Sequence, residues 1–361
     1  MFLSILFFTA QNTSLAYADI VIATVGPITG KDAAYGEQMR IGATTAVDEI
    51  NAAGGVLGEK VVLKIFDDRC EAKLADQRAN EIIDQGIKIV IGHFCSHSSI
   101  PAAKKYFEEN VLMITPASTR IDLTQMGFDN VFRFIGRDDE QAKVAGNYIV
   151  KHYGDKNVAI VHDKQSYSQG LADEVKKYIN GHNINEVFYE TITPGEADYT
   201  PLVAKIKQHN IDLLYYGGYY AEAGKIVRQM REQALDTVLF SGDGALNKEF
   251  WAITGDGGKG TLMTFGDPRQ NKHAQDTLKS FDERGIESEG FILYTYGATK
   301  IWADAANKVG STDPQKVAEA LKSNRFDTVL GNLKFDQNGD FDITTYAVQK
   351  WENGGYNPID E

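Results

Sequence analysis

What this chain has little of narrows its class before any motif is considered. Among 361 residues there are two cysteines, three tryptophans and eight prolines, so a disulfide-dense mini-domain and a Pro-rich rod are both excluded. No stretch approaches the ~18 consecutive apolar residues of a membrane-spanning helix. Positive charge is also scarce: 37 Lys and Arg against 50 Asp and Glu give a formal net charge of −13. A surface of that sign repels phosphate backbones and anionic lipids, so neither nucleic acid nor a membrane surface is an expected partner. The G-x-S-x-G elbow of serine hydrolases and the GK[ST] phosphate loop are both missing, which argues against those two chemistries.

What is present begins with the N-terminus. Residues 1–18 carry no charged side chain, hold the apolar run Ile5 to Phe8, and end in Ala16-Tyr17-Ala18, the small-x-small pattern of a signal peptidase site. We read residues 1–18 as a secretory signal, although the usual basic start is lacking, and expect a soluble periplasmic product. No cysteine follows Ala18 closely, so a lipid anchor is not expected. In an oxidising compartment the even pair Cys70 and Cys95 favours one disulfide, worth roughly 3 kcal/mol in the chain-entropy account. Two buried thiols are the alternative.

The remaining 343 residues exceed what one core usually organises, and they alternate short apolar strands with amphipathic helices, the signature of a doubly wound α/β architecture. Strands are expected at Ile20–Val25, Val61–Phe66, Ile89–Ile91, Val111–Ile114 and Val131–Phe134, with helices between them. The pattern restarts with strands at Val158–Val161, Glu186–Tyr189, Ile211–Tyr216 and Val238–Phe240. The last third adds a strand at Thr261–Phe265, helices at Ala274–Glu283, Phe291–Val309 and Pro314–Lys322, and an expected hairpin joining Leu333–Asp336 to Tyr346–Trp351. No Pro- or Ser-rich linker separates two halves, so several short crossovers are expected. This divides the chain into 19–137 plus 266–343 and 138–265 plus 344–361.

The stretch Ile89 to Arg120 carries the clearest site signal. Two apolar runs each stop at small hydroxyl residues: Ser96, Ser98 and Ser99 after the first, Ser118 and Thr119 after the second. Ligands of open α/β sheets sit beyond the carboxyl ends of such strands, and hydroxyls with free amides at a helix start suit a small anion such as a carboxylate. Tyr35, Phe94, Tyr167, Tyr219 and Phe291 all fall near strand ends or helix starts, where core packing explains them least, and Asp243 lies between two glycines after a strand. Three other motifs have plainer explanations. Gly255 to Gly260 matches a dinucleotide-binding glycine pattern but precedes a strand instead of linking one to a helix. Asp336, Asn338, Asp340 and Asp342 look like a calcium loop, but the glycine is misplaced and a turn fits better. His93, Cys95 and His97 could hold zinc only with Cys95 free and a fourth donor supplied.

These residues carry a resemblance. Val25-Gly26-Pro27 to Tyr35-Gly36-Glu37-Gln38, Asp67-Asp68, the IGHFCS and ITPAST segments, VHDKQSYSQGLA, YYGGYYAEAG and LGNLKFDQNGD look like the leucine/isoleucine/valine-binding proteins of bacterial ABC importers, in order from Asp19 to Trp351. The resemblance implies two type I (Venus-flytrap) lobes joined by three crossovers, closing on an amino acid, with no cofactor or metal and no turnover. It further implies that Ser96 and Thr119 take the α-carboxylate, and that Asp243 takes the α-ammonium with the Ala117 carbonyl. Tyr35, Phe94, Cys95, Ser118, Tyr167, Tyr219 and Phe291 would surround the ligand. It pairs Cys70 with Cys95, and implies a monomer that a membrane permease recognises. Three positions depart from the family pattern: Asp243 where Glu is common, Ser118 where Ala is usual and His97 where Ser is usual. They leave other neutral amino acids or amides as the second reading; a sensor domain of the same fold is the rival from another class, and an enzyme of unknown type comes third.

Overall fold

The computed structural model describes residues 19–343 and 346–359; the expected signal segment lies outside them. The first half builds strands β1 (Ile20–Gly26), β2 (Val61–Asp67), β3 (Ile89–Gly92), β4 (Leu112–Thr115) and β5 (Val131–Arg133), alternating with helices α1 (Ala33–Ala52), α2 (Ala72–Asp84), α3 (Ser96–Glu108) and α4 (Asp122–Gln125). All its strand pairs are parallel, in the order β2-β1-β3-β4-β5. Successive residues of these strands point to opposite faces: Ile89 and Ile91 join one apolar cluster, while Val90 joins a second on the other side. Burial on both faces is why β3 and β4 read as unbroken apolar runs. Helix α1 turns Met39, Ala43, Ala46 and Ile50 inward at helical spacing. It is stopped by Gly54 and Gly55, whose φ angles of 102° and 80° only glycine adopts readily.

The second half runs α5 (Asp138–Tyr153), β6 (Val158–His162), α6 (Ser166–Gly181), β7 (Tyr189–Thr191), α7 (Thr200–Gln208), β8 (Leu213–Gly217), α8 (Tyr220–Glu232), β9 (Val238–Ser241), α9 (Lys248–Thr254) and β10 (Leu262–Phe265). The chain then supplies α10 (Gln275–Glu283), α11 (Ile292–Val309) and α12 (Pro314–Ser323), and α11 packs against α1 of the first lobe. The short pair β11 (Phe326–Thr328) and β12 (Gly331–Leu333) follows, and β13 (Ala347–Glu352) and β14 (Gly355–Pro358) close the second sheet. Its order is β14-β13-β10-β9-β8-β6-β7, antiparallel only at β13. The result is two α/β lobes with three chain crossings: after β5, after β10 and before β13.

Two expectations need correcting. Leu333–Asp336 and Tyr346–Trp351 form no hairpin: Leu333 pairs with Phe326, while β13 pairs with β10 and β14. The turn between them is real, closed by a Phe335–Phe341 bridge, but the chain then crosses to the other lobe, where Val348 and Trp351 are buried. The strand expected at Glu186–Tyr189 is formed at Tyr189–Thr191, where the chain enters parallel register with Ile160–His162 at the sheet edge. The calcium-like and dinucleotide-like motifs both resolve into turns. Asp336 Oδ1 accepts the amides of Asn338, Gly339 and Asp340, and residues 255–258 form a short 3-10 helix.

One buried ion pair links the lobe to its crossings. Arg133, fully buried at the end of β5, donates from Nε to Asp340 Oδ1 at 2.9 Å and from Nη2 to the Thr124 hydroxyl at 2.7 Å. Its Nη1 donates to the carbonyls of Ser118 at 2.7 Å and Arg120 at 2.9 Å. Removing one partner of such a pair leaves a charge in the interior, so Asp340→Ala should lower the unfolding free energy in urea by about 3–5 kcal/mol. A loss under about 1 kcal/mol would mean that the pair contributes as little as a surface one.

Candidate functional site

The strand orders place the site. In each sheet the connection reverses direction between two adjacent parallel strands, β1 and β3 in one and β6 and β8 in the other, and ligands bind at such switch points beyond the strand ends. The segments leaving these four strands carry Tyr35, Phe94 and Ser96 from the first lobe and Tyr167 and Tyr219 from the second.

The aromatic residues meet around Tyr35. Its ring stacks on Phe94 at 4.5 Å and meets Tyr219 and Phe291 edge-on at 6.1 and 6.0 Å. Tyr167 lies 5.3 Å from Tyr219, and all five side chains are at least 96% buried. Tyr35 also spans the lobes, donating its hydroxyl to the Gly244 carbonyl at 2.5 Å. Tyr220 donates to the Lys31 carbonyl at 2.9 Å and Arg120 to the Ser166 carbonyl at 3.0 Å, so the lobes are closed on one another. Within the second lobe this turn has room only for a glycine: a Cβ at Gly244 would lie 2.6 Å from the Gly218 carbonyl and 2.8 Å from the Tyr167 ring.

On the first lobe, the loop after β4 is held rigidly. Thr115 Oγ1 accepts the Ser118 amide at 2.9 Å and donates to the His93 carbonyl at 2.7 Å. Ser118, expected beside the ligand, directs its hydroxyl back to the Phe94 carbonyl at 2.8 Å and to Ser99 at 2.6 Å, so its side chain ties the two strand tips together. Ser96 accepts the Arg120 amide at 3.3 Å, which leaves its hydroxyl proton free, and it opens α3, where the first amides lack intrahelical acceptors. Thr119 is fully buried, and its hydroxyl has no hydrogen bond of good geometry. Ala117 sits beside these groups, 8% exposed.

Cys70 and Cys95 form a disulfide with Cα atoms 5.5 Å apart. The zinc reading of His93, Cys95 and His97 is overturned by their partners. Cys95 is oxidised, His93 lies between Asp68 at 2.6 Å and the Tyr106 hydroxyl at 3.1 Å, and His97 contacts the Cys70 carbonyl.

On the second lobe, Asp243 is 2% exposed, with Oδ1 accepting Tyr167 OH at 2.8 Å and Oδ2 facing Tyr346 OH at 3.4 Å. Burial pushes its carboxyl up to about 6, against the pull of those hydroxyls. A second carboxylate, absent from the sequence-based site, stands beside it. Asp138 opens α5 fully buried and is pushed up to about 8, by burial first and also by the Asp243 charge. Its amide donates to the Thr119 carbonyl at 3.0 Å across the crossover. Gln141, one turn on, accepts the Asp243 amide at 2.8 Å and the Thr264 hydroxyl at 2.6 Å. In the sequence Asp138 is one of three acids in a helix first turn, and nothing local separates it from the other two. Arg133 did leave a signal, a charge inside the apolar run Val131 to Phe134.

The comparisons with known proteins agree with this geometry. The family model described as periplasmic binding protein matches residues 19–356. The chain belongs to this family. It is 43% identical to the Leu/Ile/Val-binding protein homolog 1 of Brucella abortus, over 96% of this chain and 95% of the relative. It is 45% identical to an amino acid binding protein of Pseudomonas aeruginosa, over 94% of this chain and 92% of the relative. Among solved structures, the branched-chain amino acid transporter substrate-binding protein LivJ of Streptococcus pneumoniae, in complex with isoleucine, superposes with a TM-score of 0.86. That match has 27% identity and covers 94% of this chain and 98% of that one.

Both buried carboxyls titrate above the usual carboxylate range, so the stability they contribute is full below about 4 and is lost as pH rises through about 6 for Asp243 and about 8 for Asp138. Asp138→Asn should therefore raise the melting temperature of ligand-free protein at pH 9 and leave it nearly unchanged at pH 4. Equal shifts at both pH values would show that Asp138 is not held neutral by its site.

Proposed function

We propose that this is an extracytoplasmic substrate-binding protein of an ABC amino-acid importer, taking leucine, isoleucine or valine between its lobes. One observation carries the reading. Five buried aromatic rings lie with two buried acids, Asp243 and Asp138, and with the Ser96 and Thr119 hydroxyls and the N-terminus of α3, the Asp138 amide bonding directly to Thr119. This is the complement of a zwitterion: on closure each ligand charge loses water and needs a directed partner. Ser96, Thr119 and the α3 amides would hold the α-carboxylate, while Asp243 and the Ala117 carbonyl would hold the α-ammonium. The Tyr35, Phe94, Tyr167, Tyr219 and Phe291 walls reward an apolar side chain at about 25 cal/mol per Å² removed from water.

Closure is the signal in this reading. The segments 19–137 plus 266–343 and 138–265 plus 344–361 would move about the three crossovers, and a ligand can shift that balance only through its differential affinity for the closed form. A membrane permease then recognises the closed monomer, and the amino acid is carried unchanged. Residues 1–18 would direct export, and no described helix is long and apolar enough to cross a membrane. The hydroxyls of Ser118 and Ser99 bond each other and neighbouring carbonyls, which leaves the carboxylate to Ser96 and Thr119.

Calorimetry on refolded, ligand-stripped protein tests this. Binding of at least one of leucine, isoleucine and valine is expected, and Asp243→Ala should weaken it by at least about thirtyfold, the lower end for truncating one partner of a buried charge pair. No binding of any amino acid would overturn the function, and unchanged affinity would remove Asp243 from the site. Gly244→Ala should weaken binding at least about tenfold, because its methyl group would push against the Gly218 carbonyl and the Tyr167 ring and displace the segment that carries Asp243. Titration against the same ligand checks this, and unchanged affinity would show that the second lobe accommodates the methyl without moving Asp243.

A further inference from the structure

Deepening the reading of the cleft as an amino-acid site, and resting on it, we propose that the cleft has a second polar pole, built from Asp32, Asp163 and Glu222, which receives an N–H donor at the end of the ligand's side chain.

Three acids converge there from both lobes. Asp32 immediately precedes α1 in the first lobe, Asp163 follows β6 and Glu222 lies in the first turn of α8 in the second, and each is 1% exposed. Asp32 is the informative one. It stands at the helix-capping position but caps nothing, and both of its carboxylate oxygens are buried without a hydrogen bond. A carboxylate oxygen of Asp32 lies within 4.8 Å of both sulfurs of the Cys70–Cys95 disulfide, and its backbone carbonyl accepts the Tyr35 amide at 3.0 Å. The carboxylate therefore borders the aromatic chamber on the Tyr35 and Cys95 side, and its charge bears on both Tyr35 and Tyr219.

The neighbouring groups leave acceptor capacity over. Glu222 uses Oε1 to accept the Gly195 amide at 2.9 Å, while its Oε2 is buried without a partner. Asp163 accepts the Gln165 amide at 3.0 Å and its side-chain nitrogen at 2.8 Å. Among the described residues Lys31, 39% exposed, lies 3.5 Å from Asp32 and 4.0 Å from Glu222. Burial lowers the pKa of His97, and its Nδ1 is buried without a partner. An aliphatic side chain would leave these acceptors unsatisfied. An amide or ammonium would supply the donors they lack, and sites built to bond a substrate N–H reject analogues without it far more strongly than apolar pockets reject a missing methylene. The departures from the family pattern at Ser118 and His97 do not create this preference, since both side chains bond to backbone carbonyls.

Matched pairs of near-equal size separate the two demands: leucine against asparagine, methionine against glutamine and norleucine against lysine, each titrated calorimetrically into refolded protein. The expected result is at least tenfold tighter binding of the N–H-bearing member in at least one pair, with the amide and ammonium pairs showing which donor the pole takes. Asp32→Ala should erase that preference. Binding of the apolar member as tightly or more tightly in all three pairs overturns the pole while leaving the amino-acid site standing, and a preference that survives Asp32→Ala overturns the assignment to Asp32. No heat with any of the six overturns the reading of the cleft itself. The wild-type comparison decides alone if Asp32→Ala does not fold.

Discussion

A single guanidinium holds the loop after β4 to the frame of the molecule. Arg133 is fully buried, and its fork reaches the Asp340 carboxylate, the Thr124 hydroxyl and the carbonyls of Ser118 and Arg120. Burying a lone cation is costly, so its position is fixed by the four oxygens that surround it. Two of those oxygens belong to the loop that presents Thr119, and one belongs to the segment just before the third crossing. That loop and the region of the crossings therefore share one electrostatic anchor. Arg137, where the chain enters α5, donates to the same Asp340 at 3.2 Å, which brings the first crossing into the network.

The second lobe is organised on the opposite principle. There the chain gathers buried acids that act on one another's charge, Asp138 with Asp243 and Asp163 with Glu222. Burial opposes their charge, and Asp243 further opposes that of Asp138, which is why Asp138 and Asp243 both titrate above the usual carboxylate range. A lobe of this kind is poised for a cation. The first lobe contributes hydroxyls, amides and most of the aromatic wall, together with the single carboxylate of Asp32. In the proposed site neither half recognises an amino acid alone.

Much of this was legible in the sequence, and the remainder divides along a physical line. Strand-end features were readable, because continuous apolar runs stopping at Ser96 or Thr119 follow from burial of a parallel sheet on both faces. The doubly wound architecture and the aromatic cluster came from the same logic. Features defined by where a helix start points in space were not readable. Asp138 differs from Asp139 and Glu140 only in which way the α5 first turn faces, and Asp32 looks like an ordinary cap residue. The mistaken C-terminal hairpin had a similar origin: the turn at Gln337–Asp340 is local and was found, but the crossing that follows it is a long-range event with no local signal. The ring meeting at Tyr35 was expected only from joint placement, and the 2.5 Å hydrogen bond to Gly244 that closes it could not have been.

The interleaving of the lobes also sets when each can form. The first sheet is complete in sequence by Arg133, yet α11, which packs against α1, begins only at Ile292. The second sheet lacks β13, the partner of β10, until residue 352. During synthesis from the N-terminus, each lobe therefore lacks an essential covering until nearly the whole chain has emerged. The two lobes mature together at the end of synthesis, unlike independent domains that fold one behind the other.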